Sequence, residues 1–264
     1  MSSPVLDASD RTSGGLIRWL RERPLLAACG LLLVVSTFFL AAPQIDFVVS
    51  GLFYDPDVGF DLNRSAQIEF LRDIGGAVVQ VLAVGVALPP FLLLIAPESR
   101  LLVRPRVTVF MLLALALGPG LLVNGILKEI WGRARPRDVV EFGGGADFSP
   151  AWWISGQCYR NCSFVSGEAA AAFWLIALVF VVPKAWRTTT AVLTVLLATC
   201  VSFTRVVVGA HFVSDVLLAW SLTLLVILAL QRLVLQGLPD RFDSAAEAGF
   251  RDAGRTVRRA VGSG

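Results

Sequence analysis

The 264-residue chain contains one histidine, two lysines, two methionines and two tyrosines. Charge is also scarce: 16% of residues are Asp, Glu, Lys or Arg, against 56% hydrophobic. That balance excludes an ordinary soluble domain and points to an integral membrane protein. A formal net charge of +3 is too small to argue for a nucleic-acid partner. One histidine and four cysteines offer no second ligand pair, so a zinc site is not expected. Internal repeats and low-complexity segments are absent, and nothing suggests a second domain. Any histidine chemistry must rest on His211.

What the chain does have is a series of apolar runs, roughly 25–42, 74–96, 107–127, 166–183, 188–204 and 212–230. Most reach or approach the ~20 residues of a spanning helix. The expected fold is therefore all-α, a polytopic bundle of six transmembrane helices. The first run makes a poor signal peptide, because its basic flank is too long and its cleavage site weak. Fifteen of the 23 Lys and Arg fall in the N-terminal tail, the loop after the second run, the loop after the fourth and the C-terminal tail. With six spans these lie on one side, which places both termini in the cytoplasm. The organisation expected is a tail over 1–23, a membrane domain over 24–231 and a tail over 232–264. An acidic outer loop spans 43–73, and a polar loop over 128–165 borders the suspected site. Phe47, Phe53, Tyr54 and Phe60 in the first of these loops read as an interfacial aromatic segment. The C-terminal tail is weakly amphipathic, suited either to an anionic lipid surface or to disorder.

Cys29 and Cys200 sit in apolar runs as packing residues. Cys158 and Cys162 share a polar loop, where a local disulfide and two free thiols are both open.

Polar chemistry concentrates in three stretches on the outer side. Lys128-Glu-Ile-Trp-Gly-Arg-Ala-Arg135-Pro136 closes the third run, Ser163-Phe-Val-Ser166-Gly167-Glu168 opens the fourth, and Thr204-Arg205 through His211 to Asp215 joins the fifth and sixth. Charges bordering a bilayer are costly and are functional candidates by default. Lys128, Arg135 and Arg205 suit a phosphate clamp, since the guanidinium fork pairs two oxygens at once. Ser166 and Gly167 begin a helix, whose free N–H groups favour an anion. His211 can act as nucleophile or base. Asp215, four positions on, could face it on a helix and fix its tautomer.

These stretches resemble the motifs of the type 2 phosphatidic acid phosphatase superfamily, which includes membrane lipid phosphatases. Lys128, Arg135 and Pro136 match its first motif; Thr204, Arg205, His211 and Asp215 match its third. The resemblance implies a six-helix core with an outward-facing site. It also implies that His211 attacks phosphorus to form a phosphohistidine while Asp215 orients it. The second motif departs: the family pattern Pro-Ser-Gly-His is here Val165-Ser166-Gly167-Glu168. The missing histidine is the one that, by resemblance, protonates the leaving oxygen. Glu168 is the candidate acid and base in its place, or else a salt-bridge partner. Arg135-Pro-Arg-Asp-Val-Val-Glu-Phe-Gly-Gly-Gly145, Phe148-Ser-Pro-Ala and Asn161 to Glu168 resemble the lipid A 4′-phosphatase-like branch. Gly143 to Gly145 otherwise read as a flexible loop beside the site.

The activity expected is hydrolysis of a lipid phosphate monoester at the periplasmic face of a bacterial inner membrane, with a lipid A-like substrate favoured. Neither metal nor cofactor is expected, because side chains supply the positive charge. Its partners would be a phospholipid or glycolipid phosphate and the membrane lipids. Rival substrates are polyprenyl diphosphate, phosphatidylglycerol phosphate and phosphatidate. A lipid phosphotransferase and a non-catalytic lipid-phosphate binder are rivals of other kinds.

Overall fold

A computed structural model describes residues 22–262. Residues 1–21 of the expected cytoplasmic tail, with Arg11, Arg18 and Arg21, lie outside the described residues. The rest is helical, with two isolated β-bridges and no strand among the described residues.

The six apolar runs fold as six helices in the expected order. Five are long and apolar enough to cross a membrane: α1 (Pro24–Ala41), α3 (Ala66–Ile95), α4 (Pro105–Ile130), α6 (Lys184–Val207) and α7 (Val213–Gln236). The fourth run forms α5 (Gly167–Phe180), which is shorter. Two further helices were not expected, α2 (Gln44–Gly51) and α8 (Arg241–Gly262).

The helices cut across the expected boundaries. Within 43–73, α2 occupies the start and the first two turns of α3 the end. α7 runs past 231 to Gln236 in widened turns. The C-terminal tail forms a helix that folds back on α3. Arg258 donates to the Ile95 carbonyl, and Arg251 to that of Pro97. The first satisfies a carbonyl that the end of α3 leaves unpaired, and the second one in the turn that follows it.

α5 lies at the centre. Gly167, Ala169, Ala170, Ala172, Phe173 and Trp174 are all buried, so small side chains let its neighbours close on it. α7 packs beside it with Val216, Leu218, Ala219 and Leu222. α1 and α3 are peripheral and present Leu33, Val34, Val81, Val84 and Ile95 outward, as lipid-facing helices should. α4 changes pitch midway. Pro119 has no N–H to give, and Ala116–Leu127 winds in widened π-type turns. The Asn124 amide donates to the Pro119 carbonyl at 2.7 Å.

The aromatic outer segment faces inward, not toward lipid. Phe47 packs on Phe148 at 4.2 Å between ring centroids, and Phe60 on Phe142 at 5.5 Å. These rings roof the loop that carries the site, where each buries more area than at an interface.

Candidate active site

All three polar stretches meet at one end of the bundle. The last turn of α4 brings Lys128, and the following loop brings Arg135. The start of α5 brings Ser166, Gly167 and Glu168. The end of α6 and the turn before α7 bring Arg205, His211 and Asp215. The loop is tied down by its backbone: Cys162 N–H donates to the Lys128 carbonyl at 3.2 Å, and Ser163 N–H to that of Arg133 at 2.9 Å. Gly143 to Gly145 form a hydrogen-bonded turn, not a free loop. Gly144 N–H donates to the Val139 carbonyl at 2.9 Å, and a Cβ on Gly144 would overlap the Asp138 backbone. Cys158 and Cys162 are joined by a disulfide.

His211 is almost fully buried, on a short turn after α6. The turn depends on Gly209, which has φ +63° and no room for a Cβ beneath Phe60. His211 Nδ1 lies 2.7 Å from the Ser163 carbonyl oxygen. A carbonyl can only accept, so Nδ1 carries the proton and Nε2 keeps a free lone pair. Burial pushes the imidazole down to about 4, opposed by Asp215 and helped by Lys128 and Arg135. The ring is neutral at pH 7.

Asp215 does not share a helix with His211, which precedes α7 by two residues. Its Oδ2 stands 3.7 Å from His211 Nδ1, farther than the Ser163 carbonyl. The carboxylate is held instead by Ser163 Oγ at 2.5 Å, Phe212 N–H at 3.0 Å and Arg133 Nη1 at 2.6 Å. Ser163 thus bridges the pair, its hydroxyl on Asp215 and its carbonyl on His211.

Arg133 was missed by the sequence reading. It lies inside the first motif, but only the structure shows it to be wholly buried. Its Nη2 donates to Asp46 Oδ2 at 2.8 Å, Nη1 also to Ser214 Oγ at 2.8 Å, and Nε to the Ser149 carbonyl at 2.8 Å. The guanidinium also lies 4.4 Å from the Phe212 ring centroid. Burial works against its charge, but the facing carboxylates of Asp215 and Asp46 outweigh that and raise it above the ordinary arginine value. Asp46, on α2, also accepts from Ser214 N–H at 3.0 Å. No sequence pattern links position 46 to 214.

Glu168 lies in a second, wetter cluster. Arg72 Nε donates to its Oε2 at 2.9 Å, and Arg205 Nε stands 3.5 Å from the same oxygen. Arg72, from the first turns of α3, was missed as well. Arg205 Nε is buried yet makes no hydrogen bond within the protein. Lys128, Arg135, Arg205 and Glu168 act electrostatically on one another. Arg135, lowered by burial first and then by Arg137, donates through Nη2 to the Asn161 carbonyl at 2.8 Å. Ser166 caps α5, its Oγ accepting from Ala169 N–H at 3.4 Å. Gly167 is required by space: a Cβ would meet Asn124 Oδ1 at 2.2 Å.

A neutral imidazole with a free Nε2 near cations, one of them with an unused N–H, is an arrangement for a phosphoryl group. Residues 108–237 match the PAP2 superfamily. A Francisella tularensis subsp. novicida protein named lipid A 4′-phosphatase is 33% identical over 188 residues, covering 68% of this chain and 81% of that protein. The chain belongs to the PAP2 superfamily. A Rhizobium leguminosarum protein of the same name is 47% identical over 116 residues, 44% of this chain. The match spans 50% of that Rhizobium protein. The crystal structure of a transmembrane PAP2-type phosphatidylglycerolphosphate phosphatase from Bacillus subtilis shares the fold. Its TM-score is 0.56 at 21% identity, covering 83% of this chain and 100% of that one. Asp46 and Arg72 lie outside the region matched to the PAP2 superfamily.

Proposed function

We propose that this PAP2 protein releases phosphate from the headgroup of a membrane lipid, with a lipid A-like monoester as the favoured substrate. The observation that carries the proposal is His211: its Nδ1–H is committed to the Ser163 carbonyl, so Nε2 is the nucleophile. Nε2 attacks phosphorus, the bond to the lipid oxygen breaks with its electrons on oxygen, that oxygen takes a proton from solvent water, and a phosphohistidine forms. Lys128, Arg135, Arg205 and the Gly167 N–H bind the equatorial oxygens, and the unused Arg205 N–H takes one of them. Glu168, facing Arg72 and Arg205, enters as a carboxylate. In the second step it accepts a proton from the water that cleaves the phosphorus–nitrogen bond. Asp215 steadies His211 through Ser163. The chemistry needs no metal.

The Cys158–Cys162 disulfide supports an oxidising compartment for the site, hence the periplasmic face of an inner membrane. The relatives named lipid A 4′-phosphatase support the substrate class. One observation favours a second substrate. A glutamate held by two guanidiniums is a poor proton donor, which suits a leaving group that departs unprotonated, such as a polyprenyl phosphate leaving from its diphosphate.

Phosphate release from lipid A, polyprenyl diphosphate, phosphatidylglycerol phosphate and phosphatidate, with a chelator present, tests the reading. Wild type should release phosphate from at least one, fastest from lipid A, and His211→Ala should lose at least about a thousandfold. Equal release by both would end the mechanism. Release only without chelator would end its metal independence.

A further inference from the structure

At the end of the bundle opposite the site, a cavity of about 660 Å³ opens between α4, the turn after α5 and the start of α6. Its origin is the shortness of α5. Eight α-helical residues and six in the tighter 3₁₀ form rise about 24 Å. A bilayer core is ~30 Å thick. The chain turns back at Val181, Val182 and Pro183, and the space below Phe180 is left without protein.

The cavity has two kinds of wall. Val86, Val103, Val107, Phe180, Val181 and Leu235 make one side apolar. Arg104, Arg106, Lys184 and Arg187 make the other, and no carboxylate lines it. Arg106 is already balanced by Asp243 at 2.7 Å. Arg104, Lys184 and Arg187 form no ion pair among the described residues. α4, and α6 both in its opening 3₁₀ turn and in the α-helical part from Arg187, also have neither a side-chain cap nor an acidic residue in the first turn. Both therefore add partial positive charge at the same place.

We propose that this cavity holds an anionic glycerophospholipid of the adjacent leaflet, its phosphate against Arg104, Lys184 and Arg187 and an acyl chain against the apolar wall. Charge complementarity selects the headgroup, since three unbalanced cations meet no anion among the described residues. The apolar wall selects a lipid over free phosphate. Basic pockets between transmembrane helices suit such headgroups. The lipid fills the length that α5 lacks and bridges the starts of α4 and α6. This site is distinct from that of His211, and it stands whatever the substrate proves to be.

The test is native mass spectrometry of the purified full chain with added phosphatidylglycerol or phosphatidylcholine of matched acyl chains. Wild type should retain one phosphatidylglycerol and release phosphatidylcholine. Arg104→Gln/Lys184→Gln/Arg187→Gln should lose that lipid, with binding at least about tenfold weaker, and keep its phosphatase activity. A control, Arg232→Gln/Arg241→Gln/Arg259→Gln, removes the same charge elsewhere and should retain the lipid. Equal loss by the control means a diffuse surface effect and overturns the proposal. So does equal retention of phosphatidylcholine, or full displacement of the lipid by inorganic phosphate at equal concentration. If the triple variant does not fold, Lys184→Gln should weaken binding about fivefold, and no change there overturns it equally.

Discussion

Two carboxylates at this site are each paired with arginine, in opposite surroundings. Asp215 shares the wholly buried Arg133 with Asp46 and receives two further hydrogen bonds, from Ser163 and Phe212. Glu168 meets Arg72 and Arg205 in a cluster open to water, with the Glu168 and Arg72 side chains 36% and 45% exposed. The dry cluster cannot rearrange without leaving a charge unpaired in a medium that solvates it poorly. The wet one can exchange partners, because water screens its pairs and replaces them at little cost. On the proposed mechanism the first holds the nucleophile still. The second, on the same mechanism, lets a carboxylate meet water once phosphate has bound.

That contrast breaks most clearly at Arg133. Arg133→Ala leaves Asp46 and Asp215 facing each other without a cation, and should destabilise the protein by about 3–5 kcal/mol. Thermal unfolding in detergent measures it, and a change below about 1 kcal/mol would mean that the cluster contributes little to the fold. Glu168→Gln should do the reverse. Phosphate release should fall about a hundredfold or more, while unfolding shifts by less than about 1 kcal/mol. Loss of stability without loss of activity would reverse the roles given to the two clusters.

Acid sharpens the comparison further. Buried His211 has a folded value of about 4, below the ordinary 6.5. The unfolded chain therefore takes up its proton first as pH falls. The contribution of neutral His211 is complete above about 6.5 and is lost between about 6.5 and 4, up to roughly 3 kcal/mol. Unfolding midpoints across this range should fall in wild type and stay flatter in His211→Phe. The smallest effect is expected at Arg72. Arg72→Gln frees Glu168 from one of two cations, and should lower kcat about tenfold or less. Its deficit should vary with salt, whereas the Arg133 deficit should not.

How much of this was legible in the chain depends on distance. Lys128, Arg135, Glu168, Arg205, His211 and Asp215 stood out because few charges border the apolar runs, and because two of three motifs keep a recognisable spacing. The helix order was legible for the same reason, since long apolar runs have few alternatives in lipid. Arg133 was hidden in plain view. In a motif rich in arginine, nothing local distinguishes a buried guanidinium from an exposed one. Asp46 and Arg72 were hidden by separation: each meets its partner across about 90 residues or more, Arg133 being 87 positions from Asp46 and Glu168 96 from Arg72. The inward turn of Phe47 and Phe60 was misread because an aromatic segment next to a membrane has two places to go, and the sequence names neither.

The sequence alone determined a helical membrane protein whose one histidine sits in a motif of recognisable spacing, because composition and motif spacing are local properties. Only the tertiary structure decided how that histidine is held. The Ser163 carbonyl, 48 positions away, fixes the tautomer; Arg133 and Asp46 fix Asp215; Arg72 and Arg205 surround the glutamate that stands where a second histidine would be. Each of these is a contact between segments that the chain keeps far apart. Burial, which sets the protonation of His211 and the rigidity of Asp215, exists only once those segments have closed around them.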